Sequence, residues 1–412
     1  RFVFTMVPLR VKVVGGGVTA AAFCQRLLEL VPSVDIVVSE MGKGTGGRCS
    51  TRKCNKTDIE YLHGCPAFDV RSTEFQTIVK QWTQQNIVQK WDPLRLGVIN
   101  MDSLMDVHHV PSQQHTLYQP SPSFCANLMS ERTTFQPNTL IRTMALTEEK
   151  KWQINDDTSV LHDWLVVTSP VVGHSSRWSK NFGSIGTELP PLVKALSAKN
   201  KNSQTQTERL LLDAMSELKS RSILSLITIF SGTLAQQCAK QFPFDMAHIQ
   251  NSSVVGKIVC PSQGLTDDGL YPMITHSTAE YSSSIGNVRG TGSSISTVGT
   301  KGVPSSVEKQ TMVEATMRKE LIRCLAPWMK DLLSFDDATR EVNISNSTVH
   351  QWGAAFPERH PYFEDKLSLL VPESNLAVCG DYFSQQPGRI ETAVLSGRDS
   401  AEKLAETLLV RI

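Results

Sequence analysis

The stretch Val11–Thr51, VKVVGGGVTAAAFCQRLLELVPSVDIVVSEMGKGTGGRCST, decides the fold. Its first four residues form an apolar strand that runs directly into Gly15-Gly16-Gly17, and from Thr19 to Leu30 small and apolar residues recur at helical spacing. Strand, tight turn and helix in that order make a phosphate cradle. Gly15 permits the turn, Gly17 lets backbone approach a pyrophosphate, and Ala20, in place of a third glycine, keeps the helix close to the strand. The helix N-terminus adds free N–H groups and a partial positive charge. A second apolar strand, Asp35–Ser39, ends in Glu40, whose carboxylate suits two ribose hydroxyls and repels a 2′-phosphate. Strand, helix, strand and acid together favour a dinucleotide-binding unit over a glycine-rich turn in an unrelated α/β protein.

Five residues separate Glu40 from a second glycine turn, Gly46-Gly47-Arg48, with Thr51 close behind. An NAD site does not need this turn. Glu40, the spacer, Gly46-Gly47-Arg48 and Thr51 resemble the E-x5-GGR-x-x-T signature of the FAD-dependent amine oxidase superfamily, which implies FAD with the arginine and glycine backbone cradling its diphosphate. His63-Gly64, Phe68, Arg71 and Phe75 are similar to the HGAQYFTxRDPxF segment of the renalase-like branch, with Cys65-Pro66-Ala67 replacing Ala-Gln-Tyr. By that resemblance His63 lies close to the isoalloxazine, as a hydrogen-bond donor or an acid or base; as a bare residue it reads equally well as a histidine that locks backbone.

The far end of the chain carries a matching motif. Leu376–Phe383 (LAVCGDYF) and Gly388–Arg398 (GRIETAVLSGR) are similar to the closing FAD motif of the same superfamily. A strand ending in Gly380-Asp381 places a carboxylate near a ribityl or phosphate-side hydroxyl. A helix starting near Glu391 points its positive end at the flavin pyrimidine ring, with Thr392 and Ser396 on its first turns. Cys379, at the end of an apolar strand, reads as packing, so the FAD is expected to be noncovalent. His350-Gln351-Trp352, with Ala355 and Pro357, resembles the HRWRYAxP segment of renalase-like proteins, which makes Trp352 a candidate flavin-facing side chain. The resemblance also sets the backbone near Thr143 beside the adenine.

These motifs predict an α/β chain with a discontinuous Rossmann-like FAD-binding domain and a second, mixed-sheet substrate domain. The first takes 8–90, 123–175 and 307–412; the second takes 91–122 and 176–306. Helices are expected over Glu74–Gln89, Ser123–Ser130 and Val307–Ile322, a hairpin over Thr139–Leu146 and Trp152–Ile154, and a strand over His162–Thr168. In the second domain Ser222–Phe230, Ser253–Cys260 and Tyr271–Ser277 read as strands. Two stretches biased to small polar residues, 198–207 and 282–306, read as mobile insertions, since neither buries enough apolar surface to offset its ordering entropy.

Composition sets limits. The 412 residues are 40% hydrophobic and 20% charged, a globular profile with length for two or three domains. With 41 basic against 40 acidic residues and no long basic run, a nucleic-acid or anionic-membrane partner is not expected. No apolar run approaches the roughly 20 residues that span a bilayer, so a soluble protein is expected. Nine cysteines without a C-x-x-C pair favour a reducing compartment. Cys49 and Cys54 read as plain small residues rather than a redox pair. The chain begins at Arg1, with Met6 a natural start just before the first strand, and localisation stays open between cytoplasm and an organelle. His108, His109 and His115 with Asp106 match no ligand spacing, so no metal is expected. G-x-S-x-G, H-E-x-x-H and G-x4-G-K-[ST] are all missing; Gly42-Lys43-Gly44 has the letters of the last but not its spacing.

The resemblance implies an oxidoreductase that takes a hydride from a small reduced substrate, a dihydronicotinamide isomer or an amine, to flavin N5, with oxygen as acceptor and hydrogen peroxide as product. Two alternatives share the signatures: a flavin-dependent desaturase or reductase of a terpenoid or pigment, and a noncatalytic flavin-binding redox sensor or interaction protein.

Overall fold

In the computed structural model of the protein, residues 8–53, 60–92, 94–103, 107–110, 116–182, 189–198, 204–261, 264–288, 290, 293, 295, 305–329 and 344–409 are described. A first sheet grows from Arg10–Val14, which pairs in parallel with Asp35–Ser39 on one side and Trp164–Val167 on the other. Thr133–Gln136 and Leu376–Cys379 extend it in parallel, and Ser368–Val371 closes one edge antiparallel. The apolar runs in these strands follow from burial on both faces. One face, through Val11, Val13, Trp164, Val166 and Ala377, packs on the helices Val18–Leu30 and Ile390–Leu409. The two helices touch at Gly397, where a Cβ would lie 2.3 Å from the Thr19 carbonyl oxygen.

The other face, through Val14, Leu165, Val167 and Val378, packs on a three-stranded meander, Met144–Leu146, Trp152–Ile154 and Leu161–His162. Helices Ser175–Asn181, Pro191–Ser197 and Gln206–Glu217 bury Trp178, Leu192, Leu196, Leu211 and Met215 in the same core. This corrects the boundary expected at 176, because an apolar helix stripe specifies burial but not which sheet it is buried against.

A second sheet of seven strands runs in the order Ile344–Pro357, Ser220–Phe230, Tyr271–Ser277, Val255–Val259, Met246–Gln250, Leu96–Asn100, Val107–Val110. Every pairing is antiparallel except that of Met246–Gln250 with Leu96–Asn100. The strand at 344–357 and the helix Val307–Leu325, which buries Val313, Met317 and Leu321 beneath this sheet, correct the assignment of all of 307–412 to the first domain. Conversely Leu117–Pro120 pairs with Phe68–Asp69 and Val88–Lys90, so the end of 91–122 belongs with the first unit. Pairing partners far apart in sequence cannot be read from the strand pattern of either one.

The expected mobile insertions are only partly described. Residues 199–203 and 296–304 lie outside the described residues. At the end of the first stretch, Thr205 and Glu208 form a reciprocal capping box that starts a helix; at the start of the second, residues 282–285 finish the helix Ala279–Ile285, with Ser282 buried. Local capping chemistry here overrides the compositional bias. Among the described residues no helix is long and apolar enough to cross a membrane.

Candidate functional site

The two glycine turns come together. Gly46 N–H donates to the Gly16 carbonyl at 2.8 Å, and Gly17 and Gly46 form a parallel bridge. Gly15 has φ +107°, and a Cβ on it would meet Thr168 Oγ1 at 2.6 Å; Gly46 has φ +117°, and a Cβ there would meet Ser50 Cα at 2.6 Å. Both positions exclude an L side chain. Around Gly17 and Gly47 the space is open by contrast: the nearest atom to a Cβ would be Gly46 O at 4.0 Å in the first case and Gly17 Cα at 3.6 Å in the second. Open space therefore lies beside the turns at the N-terminus of Val18–Leu30, while Ala20 is fully buried behind them. Glu40 accepts the Gly16 N–H at 2.7 Å and the Gly42 N–H at 2.6 Å. Burial raises its carboxyl pKa, and these two N–H groups oppose the rise. A carboxylate has further lone pairs for ribose hydroxyls.

Arg48 clasps the two ends of the chain. Its guanidinium meets Asp381 at 2.7 and 2.6 Å and donates to the Ala355 carbonyl at 2.7 Å. Burial disfavours its charge, but Asp381 outweighs burial and holds the group above its ordinary value. The closing motif is locked by its own hydroxyls and acid. Ser396, fully buried, accepts the Gly380 N–H at 2.8 Å, and Thr392 donates to the Gln386 carbonyl at 3.0 Å. Glu391 accepts the Arg71 and Ser72 N–H groups at 3.0 and 2.8 Å, so its carboxylate ties the C-terminal helix to the start of Thr73–Gln84. Thr51 Oγ1 accepts the Ser123 N–H at 2.9 Å, and Thr143 carries its backbone against Asn155. Cys379 is fully buried in the first core.

Beside the second glycine turn, at the open end of the hairpin formed by Thr51–Lys53 and Glu60–Leu62, the chain meets the second sheet. Ser225 pairs with His276 on one side and His350 on the other, so all three project from one face as a row. Ser225 Oγ donates to the His63 carbonyl at 2.7 Å, and His276 Nε2 lies 2.8 Å from the same oxygen. The backbone of His63 is thus held by two strands, leaving its ring free to meet His350 at 4.8 Å and Trp352 at 4.9 Å between centroids. Gly64 is obligatory here: a Cβ would lie 2.3 Å from Arg48 O and 2.7 Å from Trp352 Cζ2. Both ring nitrogens of His63 and the indole nitrogen of Trp352 are buried without a partner among the described residues.

Their surroundings favour the neutral form of all three imidazoles. Burial first, then His350, Arg52 and His276, hold His63 well below the ordinary value of 6.5. Burial and Arg52 bring His350 down to about 4, and burial and Lys257 bring His276 down to about 3. A neutral ring offers one donor and one acceptor. Neither Ser225 nor His276 is marked by the sequence, and His350 only as the first residue of the segment that holds Trp352; only pairing register sets the three side by side. His108 and His109 lie on Val107–Val110, His109 against Phe244, while Asp106, His115 and Cys54 are outside the described residues.

Residues 13–82 match the family model of an NAD(P)-binding Rossmann-like domain. Over 98% of its length the chain superposes on a protein assigned as a protoporphyrinogen oxidase from Exiguobacterium sp. 255-15 and on cyclohexylamine oxidase from Brevibacterium oxydans IH-35A. Each is covered over 100% of its own chain, at TM-score 0.62 and 10% identity. A putrescine oxidase matches at TM-score 0.56 and 12% identity, with 97% and 99% of the two chains covered. The fold is that of these oxidases. Within this oxidase fold, the matched segment 13–82 contains both glycine turns, Glu40, Arg48 and His63, whereas the row that meets His63 lies outside it on the second sheet.

Proposed function

We propose that the protein is an FAD-dependent oxidoreductase, a renalase-like oxidase of a small reduced substrate, either a dihydronicotinamide isomer or an amine. The observation that carries this reading is the junction at His63, where buried polar ring atoms with no partner converge beside the GGR turn. The open space beside Gly17 and Gly47 would take a diphosphate, and Glu40 the adjoining ribose. Gly15, Gly16, Gly17, Gly46, Gly47 and Arg48 would hold the diphosphate end, with Gly380, Asp381 and the start of Ile390–Leu409 at the flavin end. When bound, FAD supplies a hydride acceptor at N5 and returns its electrons to oxygen as hydrogen peroxide.

The protein's part is to position, exclude water and manage a proton. His63 and Trp352 close the second sheet over the site, and the neutral His63 ring can accept a substrate proton at its unprotonated nitrogen while donating from the other. Ser225 and His276 hold that ring through its backbone, so the base is fixed on a sheet rather than on a mobile loop.

The test is the absorbance spectrum of purified protein, followed without oxygen during additions of isomeric dihydronicotinamides, amines and prenyl substrates. Bleaching by one of the first two, with peroxide formed on admitting air, is expected. Bleaching only by a prenyl substrate would replace this reading with a desaturase or reductase, and a yellow protein that none of them bleaches would replace it with a noncatalytic flavoprotein.

A further inference from the structure

The row formed by His350, Ser225 and His276 continues onto a fourth strand, because Lys257 pairs directly with His276. Val259, two residues along the same face, packs with Ile227, Ile274 and Tyr61, so Lys257 lies on the face that the hairpin covers. Tyr61 pairs with Arg52 across the hairpin, which sets Arg52 on the hairpin face turned toward the same sheet. The charge of Arg52 reaches His63 and His350, and that of Lys257 reaches His276, so the two cations stand toward opposite ends of the row. His248, opposite Lys257 on the next strand, is exposed, and the row opens to solvent there.

Neither cation has an acid. Both side chains are half-buried, Arg52 Nη1 is buried with no hydrogen-bond partner, and among the described residues no carboxylate pairs with either. The acids beside the GGR turn and the C-terminal helix are matched already: Asp381 by Arg48, and Asp69 by Arg71 and Arg389. Burial pulls the Lys257 amine below its ordinary value, with no carboxylate to oppose the fall. Two unmatched cations beside neutral imidazoles leave an excess of positive charge and N–H donors, which an anion entering the junction would satisfy.

We propose that Arg52 and Lys257 form an anion subsite at the junction, which holds a phosphate or carboxylate group of the substrate and repels a cationic amine. This deepens the oxidase reading and rests on it for the role of the bound molecule as substrate, but anion binding itself requires no electron transfer.

The full chain, with saturating FAD at pH 7, is titrated in a calorimeter with inorganic phosphate, benzoate and benzylamine. At least one anion should bind and benzylamine should not; phosphate without benzoate assigns a phosphate group to the subsite, and benzoate without phosphate a carboxylate. Arg52→Met and Lys257→Met should each weaken anion binding about 10-fold or more, the usual loss for a hydrogen bond to a charged group. Lys257→Arg should retain it, which separates loss of charge from loss of fold, and Lys240→Met, at an exposed helix position, should bind as wild type does. Binding of neither anion, tighter binding of benzylamine than of either anion, or anion binding unchanged in both Met variants would overturn the subsite. The two readings fail separately. Anion binding beside a flavin that no candidate substrate bleaches keeps the subsite and removes the oxidase, and bleaching by an amine without anion binding does the reverse.

Discussion

The cradle between the glycine turns and the junction at His63 meet at the open end of one short hairpin, Thr51–Lys53 with Glu60–Leu62, yet they are built in opposite ways. The cradle is made largely by residues between Gly15 and Arg48, whose backbone conformations and spacing suffice to form it. The junction sets His63 against Ser225, His276, His350 and Trp352 from three strands of another sheet, a meeting that no neighbour in sequence specifies. The turn unit is therefore a property of local sequence, and the junction a property of sheet register.

The sharpest way to break that comparison is Gly15→Val with Gly17→Val. The first forces a branched side chain into φ +107° and onto Thr168, and the second fills the open cradle. Bound flavin should be lost entirely from the purified protein, while Gly44→Ala, at a position with open space around it, should keep its colour; full occupancy in the double variant would remove the proposed site. Next in size is His63→Asn, which keeps the backbone anchor to Ser225 and His276 and removes the ring. Flavin content should hold while the rate of anaerobic bleaching falls roughly 10²–10⁴-fold, the usual range for an acid or base. An unchanged rate would reduce the junction to packing.

Gly397→Val tests a contact between the two helices that joins distant parts of the chain. Its Cβ would press on the Thr19 carbonyl, and overpacking of this kind costs about 1–3 kcal/mol, to be read from urea unfolding. Stability equal to wild type would show that the two helices separate without loss. The smallest effect concerns pH. Unfolded, the imidazoles take a proton near 6.5; folded, they resist it down to about 4 at His350 and about 3 at His276. Protons then bind preferentially to the unfolded chain, so stability is complete above pH 6.5 and is lost as pH falls from there toward 3, by at most about 1.4 kcal/mol per pH unit for each ring. In His276→Asn the slope of stability against pH between 6.5 and 4 should be shallower by about one proton, and an equal slope would mean that His276 titrates normally.

Much of the first unit was legible in the sequence. The strands at 11–14, 35–39 and 376–379 and the helices after Gly17 and Gly388 lie within a residue or two of where apolar period and glycine turns put them. Ser396, Thr392 and Glu391, expected on the cofactor from the resemblance alone, direct their side chains to backbone groups of the motif and of residues 71–72. Domain membership was less legible. The strand at 344–357 and the helices from 175 to 217 changed sides, because an apolar stripe records that a surface is buried and not what buries it.

The sequence alone determined the dinucleotide-binding turn–helix unit, since glycine conformations, helix start and acid spacing act over a few residues and need no distant partner. The tertiary structure decided how Arg48 closes on Asp381 and which histidines surround His63. Each of these depends on backbone pairing between segments separated by a turn or by hundreds of residues, and pairing is selected by the packing of whole sheets rather than by any residue's local preference.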